Sequence, residues 1–225
     1  MGIWATVVAI AVVGGCSVGS GGATGSRTPS AEGGSGAAII QSAGQAPSGP
    51  TWRDSGVTFT LPEGWSIVAG DRLSADSAGL SGLAAVSDRL GFQPEDFAVT
   101  LSSYDQVAFG PDAGLVIVTT TPQADQDAMT ETAVRDYLHA VCSRQPTMCE
   151  ELVSFEERQS AQGAVVVYLT RGQTGYLSAN LLLPYVARAG ASSTTRQGRR
   201  VSVEASTTAT VAACVDAIVA TVHQT

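Results

Sequence analysis

Lysine is absent from the 225 residues: all twelve basic side chains are arginine. Histidine occurs only twice, at His139 and His223, and aromatic residues make up 6% of the chain, so imidazole chemistry and base stacking have little to draw on. Acidic residues outnumber basic ones by 20 to 12, and the net charge of −8 argues against nucleic acid or an anionic membrane surface as an electrostatic partner. Beyond residue 50 there is no glycine-rich phosphate loop, no Gly-x-Ser-x-Gly elbow and no Cys-x-x-Cys pair. Nor does any apolar run approach the roughly 20 residues that a membrane-spanning helix needs.

The one marked apolar run, Trp4 to Val13, is about ten residues long, which suits the core of a signal peptide. It runs into Val13-Gly14-Gly15-Cys16, small residues ahead of a cysteine, the form of a bacterial lipoprotein signal. Residues 1–15 are expected to be a signal peptide cleaved between Gly15 and Cys16, with a diacylglyceryl thioether on the Cys16 thiol. Met1-Gly2-Ile3 lacks the basic residue that usually opens such a leader. Residues 16–50 are almost wholly Gly, Ser, Ala, Thr and Pro and bury too little apolar surface to offset the entropy of ordering them. They are expected to form a lipid-anchored, disordered flexible linker with an end-to-end distance of roughly 30 Å. The expected address is the extracytoplasmic face of the cell membrane, with the lipid on Cys16 as the membrane attachment.

Residues 51–225 suffice for one compact extracytoplasmic domain. Val57 to Leu61 alternates as a half-buried strand and ends at Pro62-Glu63-Gly64; Trp65 to Val68 returns as its hairpin partner, flanked by Trp52 and Trp65. Leu80, Leu83, Val86 and Leu90 have helical spacing with Gly91 as C-cap, and Pro94-Glu95-Asp96 opens a second helix. Two strands flank Gly110-Pro111-Asp112-Ala113-Gly114. Asp127 is placed to cap a third helix with the stripe Met129, Ala133, Tyr137, Ala140 and Val141. Leu152–Glu156, Ala164–Thr170, Leu177–Val186 and Arg199–Ser206 read as strands, the second of them central and the third with Pro184 confining its far end to an edge or a bulge. A last helix buries Val211, Val215, Ile218 and Val222. The predicted class is α+β, an antiparallel sheet flanked by helices.

Exported proteins form disulfides, and three cysteines remain after lipidation. Cys142 and Cys149 flank a loop turned by Pro146 and are the favoured pair; Cys214, on the apolar face of the last helix, reads as a buried free thiol. A bridge from Cys214 to either loop cysteine stays open as the alternative.

Three segments carry a family resemblance: Phe59-Thr60-Leu61-Pro62-Glu63-Gly64-Trp65, Arg89-Leu90-Gly91-Phe92-Gln93-Pro94-Glu95-Asp96-Phe97, and Gly110-Pro111-Asp112-Ala113-Gly114 before a Val-rich strand. With these the chain resembles the LpqN-type lipoproteins of actinobacteria. The resemblance implies a PsbP-like α/β/α sandwich on a lipid anchor and supplies no catalytic residues.

Candidate chemistry is sparse. His139 lies three residues before Cys142, a spacing that pairs a base with a thiolate or two metal ligands, but no further ligands accompany it. Asp125, Asp127 and Glu131 lack the glycine and spacing of a calcium loop. Glu150-Glu151 and Glu156-Glu157 bracket a strand as paired carboxylates or, more ordinarily, as solvated charges. Arg196, Arg199 and Arg200 form the one basic cluster, either a dock for an anionic group or a blunted edge strand or loop. Trp52 and Trp65 read as core or as the lining of an apolar pocket. No cofactor and no metal are expected. The expected function is that of a non-catalytic binding or accessory module in the cell envelope, acting on a partner protein or a lipid-like ligand. The alternatives are an envelope enzyme, which convergent titratable groups would favour, and a structural subunit of an envelope complex.

Overall fold

The computed structural model describes residues 47–122, 129–183 and 197–224. Strands β1 (Thr51–Asp54) and β2 (Val57–Thr60) form a hairpin. Its turn places Ser55 at φ 55° and Gly56 at φ 71°, two left-handed residues in succession, which matches the twist of a tight hairpin. The Asp54 carboxylate accepts from the Ser55 N–H at 2.5 Å. This hairpin corrects the expected one. β3 (Ser66–Ala69) pairs with β4 (Gln106–Gly110), not with β2, and Pro62-Glu63-Gly64 carries the chain from one sheet to the other.

Helix α1 (Ser77–Leu90) is capped by Asp76, whose carboxylate accepts from the N–H groups of Ala78 (2.8 Å) and Gly79 (3.2 Å). Gly91 ends it at φ 73°, as expected. Helix α2 (Pro94–Leu101) follows with Pro94 in its first turn. β4 turns into β5 (Gly114–Pro122) through Asp112 and Ala113, both at positive φ, and the Gly114 N–H donates to the Pro111 carbonyl at 2.9 Å. The glycines of this turn serve packing, because a Cβ on Gly110 would stand 2.4 Å from the Trp65 indole.

Helix α3 (Glu131–Arg144) is capped by Thr130, which accepts from the Ala133 N–H at 3.2 Å. Asp127, expected in that role, lies outside the described residues. The stripe is also displaced: Ala133 is exposed, and Val134 is the buried residue, packed with Met129 and Leu138. β6 (Glu150–Ser160), β7 (Gly163–Gly172), β8 (Leu177–Leu183) and β9 (Gln197–Ala205) complete the large sheet. Helix α4 (Thr208–Thr221) and the short β10 (His223–Gln224) close the chain, and Pro184 falls outside the described residues.

The seven-stranded sheet has the order β3-β4-β5-β9-β8-β7-β6 and is antiparallel throughout; β1-β2-β10 forms a second, three-stranded sheet. β7 is paired on both sides, as its apolar character predicts. One face of the large sheet carries the larger apolar cluster. Val118, Val201, Leu181 and Val167 stand in a cross-strand row, and α4 packs with them through Val211, Cys214, Val215 and Ile218, joined by Trp52, Val57 and Phe59 of the small sheet. The other face has two apolar ends. α1 and α2 cover Val107, Phe109, Leu115 and Ile117, while α3 covers Leu152, Tyr168 and Leu182. The class is therefore α+β, an antiparallel sheet flanked by helices, as the sequence pattern predicts.

Candidate functional site

Between those two apolar ends the sheet carries polar side chains. Strand pairing sets them in cross-strand rows on one face: Tyr168, Asn180, Ser202 and Ile117 in one; Thr170, Ser178, Glu204 and Leu115 in the next; Val166, Leu182, Arg200 and Thr119 in the third. Asn180 is 3% exposed and Arg200 7%, so this is a covered polar strip and not a solvated face. The Ser202 hydroxyl donates to Asn180 Oδ1 at 3.0 Å and so supports that amide from below.

Flanking elements bring further groups to the strip. Arg89, in the last turn of α1, donates from Nη2 to Glu204 Oε2 at 3.2 Å, a contact between residues 115 apart in the chain. Its guanidinium also lies 5.6 Å from the centre of the Tyr176 ring. Glu150, the first residue of β6, accepts on both oxygens: from the Tyr176 hydroxyl at 2.6 Å and the Thr170 hydroxyl at 2.7 Å. The two short bonds hold the start of β6 against β7.

The electrostatics of the strip follow from its burial. Burial pushes the Glu204 carboxyl above its ordinary value against the pull of Arg89. Burial also raises Tyr104 and Tyr168, and the Arg200 guanidinium pulls both back. Tyr137 is raised by burial with Arg200 again opposing, and Tyr176 is raised by burial and by the neighbouring Glu150 charge. Arg200 thus acts on tyrosines brought by three different segments of the chain.

Several buried polar atoms here have no hydrogen-bond partner among the described residues. They include Arg89 Nε and Nη1, Arg200 Nε, Thr119 Oγ1 and Ser87 Oγ. The Arg89–Glu204 bridge therefore uses one nitrogen of a guanidinium whose side chain is 8% exposed. A guanidinium nitrogen can only donate, so an acceptor is what these positions lack. Among the described residues no group of three His, Cys, Asp or Glu is placed to hold a metal ion.

The residues singled out in the sequence fall elsewhere or divide. Cys142 and Cys149 are disulfide-bonded and Cys214 is a buried free thiol whose pKa burial pushes up, which decides between the cysteine alternatives. The bridge, with a sequence separation of 7, contributes about 2.5 kcal/mol in the chain-entropy picture. It also removes Cys142 as a thiolate partner of His139, which is exposed. The basic cluster is not one: Arg199 and Arg200 are adjacent on a strand and point to opposite faces, and β9 is interior to the sheet, so they blunt no edge. Arg199 donates from Nε to the Ser55 carbonyl of the small sheet. Arg196 lies outside the described residues, as do Asp125, Gly15 and Cys16. Of the paired carboxylates, Glu150 belongs to the strip while Glu156 pairs with Arg158, which also bonds Asp216 of α4. Glu131 forms an i,i+4 pair with Arg135. Trp52 stacks on Phe59 and is 1% exposed, and Trp65 is 6% exposed, so both are core.

Sequence reading missed Arg89, Asn180, Glu204 and Tyr176. The available signal was polar residues at alternate positions of segments that tertiary pairing places inside the sheet, Arg200-Val201-Ser202-Val203-Glu204 and Ser178-Ala179-Asn180.

No protein-family model matches this chain, and no curated protein matches it. Among solved structures the chain is similar to cyanobacterial PsbP (CyanoP) from Synechocystis sp. PCC 6803, at 13% identity and a TM-score of 0.43, over 81% of this chain and 95% of that one.

Proposed function

We propose that this protein is a non-catalytic binding module of the bacterial cell envelope, an LpqN-type lipoprotein tethered through a lipid on Cys16 at the extracytoplasmic face of the membrane, with the polar strip as its ligand-binding surface. The single observation that supports a ligand site is the set of buried guanidinium nitrogens on Arg89 and Arg200 that find no acceptor among the described residues. Burying such a group unpaired is costly, and a bound molecule offering acceptors would relieve the cost. The strip is polar, so the ligand makes polar contacts rather than filling a dry apolar cavity. The apolar run before Gly14-Gly15-Cys16 supports the anchor, and the glycine- and serine-rich stretch behind it supports the tether.

The convergence of Glu204, Tyr104 and Tyr176 favours a second reading, an envelope enzyme with Glu204 as its acid. The binding reading is preferred because Ser202 donates to Asn180 Oδ1, an amide oxygen that cannot serve as a general base. Native mass spectrometry of the protein drawn from its host membrane tests the binding reading. A small molecule retained unchanged at one per chain is the expected result, and a bare chain associated one-to-one with another protein would replace that reading with the structural-subunit one. Cys16→Ser tests the anchor separately: the variant should leave the membrane fraction or remain unprocessed, and unchanged mass and fractionation would remove the lipoprotein assignment.

A further inference from the structure

We infer that the polar strip binds a singly charged carboxylate, seated over the Ser202–Asn180 pair between Arg200 on one side and Arg89 on the other. The inference rests on the binding-module reading and gives its ligand a chemical class. On β9, Ser202 lies midway between Arg200 and Glu204, and Glu204 holds Arg89 by a single contact. The floor thus has a guanidinium at each end. Each carries nitrogen without an acceptor, Nε on Arg200 and both Nε and Nη1 on Arg89. Among the described residues no carboxylate lies within ion-pair distance of Arg200.

Three features narrow the chemistry. Guanidinium groups donate and never accept, so the complementary group is an acceptor; because they are charged and buried, a charged acceptor makes the stronger bond. Glu204 and Glu150 belong to the strip, and carboxylates there oppose a doubly charged ion more strongly than a singly charged one, which disfavours phosphate. Half-buried Tyr104 and Tyr176 stand at the margin and give the rest of the ligand an apolar body with a polar tip to lie against.

The source of the carboxylate is either a fatty acid or a small water-soluble acid, and one titration distinguishes them. The side-chain Nε–H signals of Arg89 and Arg200 in the full chain, labelled with nitrogen-15, are followed by NMR at constant ionic strength. The probes are sodium acetate, sodium octanoate, inorganic phosphate and glycerol. Both signals should move together with acetate and with octanoate. Tighter binding of octanoate assigns a lipid source, and equal binding assigns a small acid. Arg200→Lys keeps the charge but replaces the planar five-donor fork by a three-donor ammonium, and should weaken octanoate roughly ten- to hundredfold. Arg89→Lys provides the same test should the first variant lose its dispersed spectrum. The inference is overturned if phosphate or glycerol moves these signals while the carboxylates do not, or if no probe moves them. It is overturned equally if both lysine variants fold and bind octanoate as the parent does. A neutral molecule found by mass spectrometry, with unmoved arginine signals, would refute the carboxylate and leave the binding module standing.

Discussion

The two faces of the seven-stranded sheet are built by the same strands and do opposite things. One face carries Val118, Val201, Leu181 and Val167 in a row and is sealed by α4 and the small sheet. One residue further along the same strands the pleat presents Thr119, Arg200, Ser202, Asn180 and Glu204. Successive side chains alternate between faces, so β9 contributes Val201 and Val203 to the core and Arg200 and Ser202 to the strip. The apolar cluster on the first face is held mainly by shape and area, with Trp52 Nε1 buried in it without a partner among the described residues. The polar face needs a partner for every buried donor, and among the described residues it lacks some.

The apolar side carries the largest expected effect. Leu181→Ala, at a fully buried position, should destabilise by about 2 to 5 kcal/mol in urea unfolding, because the sealed face cannot collapse around the cavity. A change near zero would show that this face is loosely packed. On the polar side, Ser202→Ala removes the donor to Asn180 Oδ1 and should cost about 1 to 3 kcal/mol; a neutral result would mean that water or a ligand already replaces it. The smallest effect is a pH dependence. Glu204 has its folded pKa raised above the ordinary 4.5, so its contribution to stability is fully present below that value and is lost as pH rises through the folded pKa. The unfolding midpoint of the parent should therefore fall, over that window, relative to Glu204→Gln. Parallel profiles would place Glu204 in solvent and not in the strip.

Much of the fold was legible because it is local. Gly91 as a left-handed C-cap, Pro94 in the first turn of α2, the Gly110–Gly114 turn and the apolar stripe of α4 each follow from a few neighbouring residues. The Cys142–Cys149 bridge was readable for the same reason, since its loop is short. Strand partnership was not. Val57–Thr60 and Ser66–Ala69 look like hairpin arms, yet they join different sheets, and the choice depends on Gln106–Gly110 and His223–Gln224 arriving from elsewhere. The site was less legible still. Arg89 looks like a charge at a helix end, Glu204 like the solvent side of a strand, and their bridge spans 115 positions.

The sequence by itself determined the composition that disfavours nucleic acid, the helix ends, the short turns, the disulfide loop and which residues of each strand are apolar, because each of these is set within a few residues. Only the tertiary structure decided that β9 is interior, and with it that Arg200 and Ser202 are covered instead of solvated. The physical reason is that a strand's pattern specifies which side chains share a face, while what lies over that face depends on partners distant in the chain.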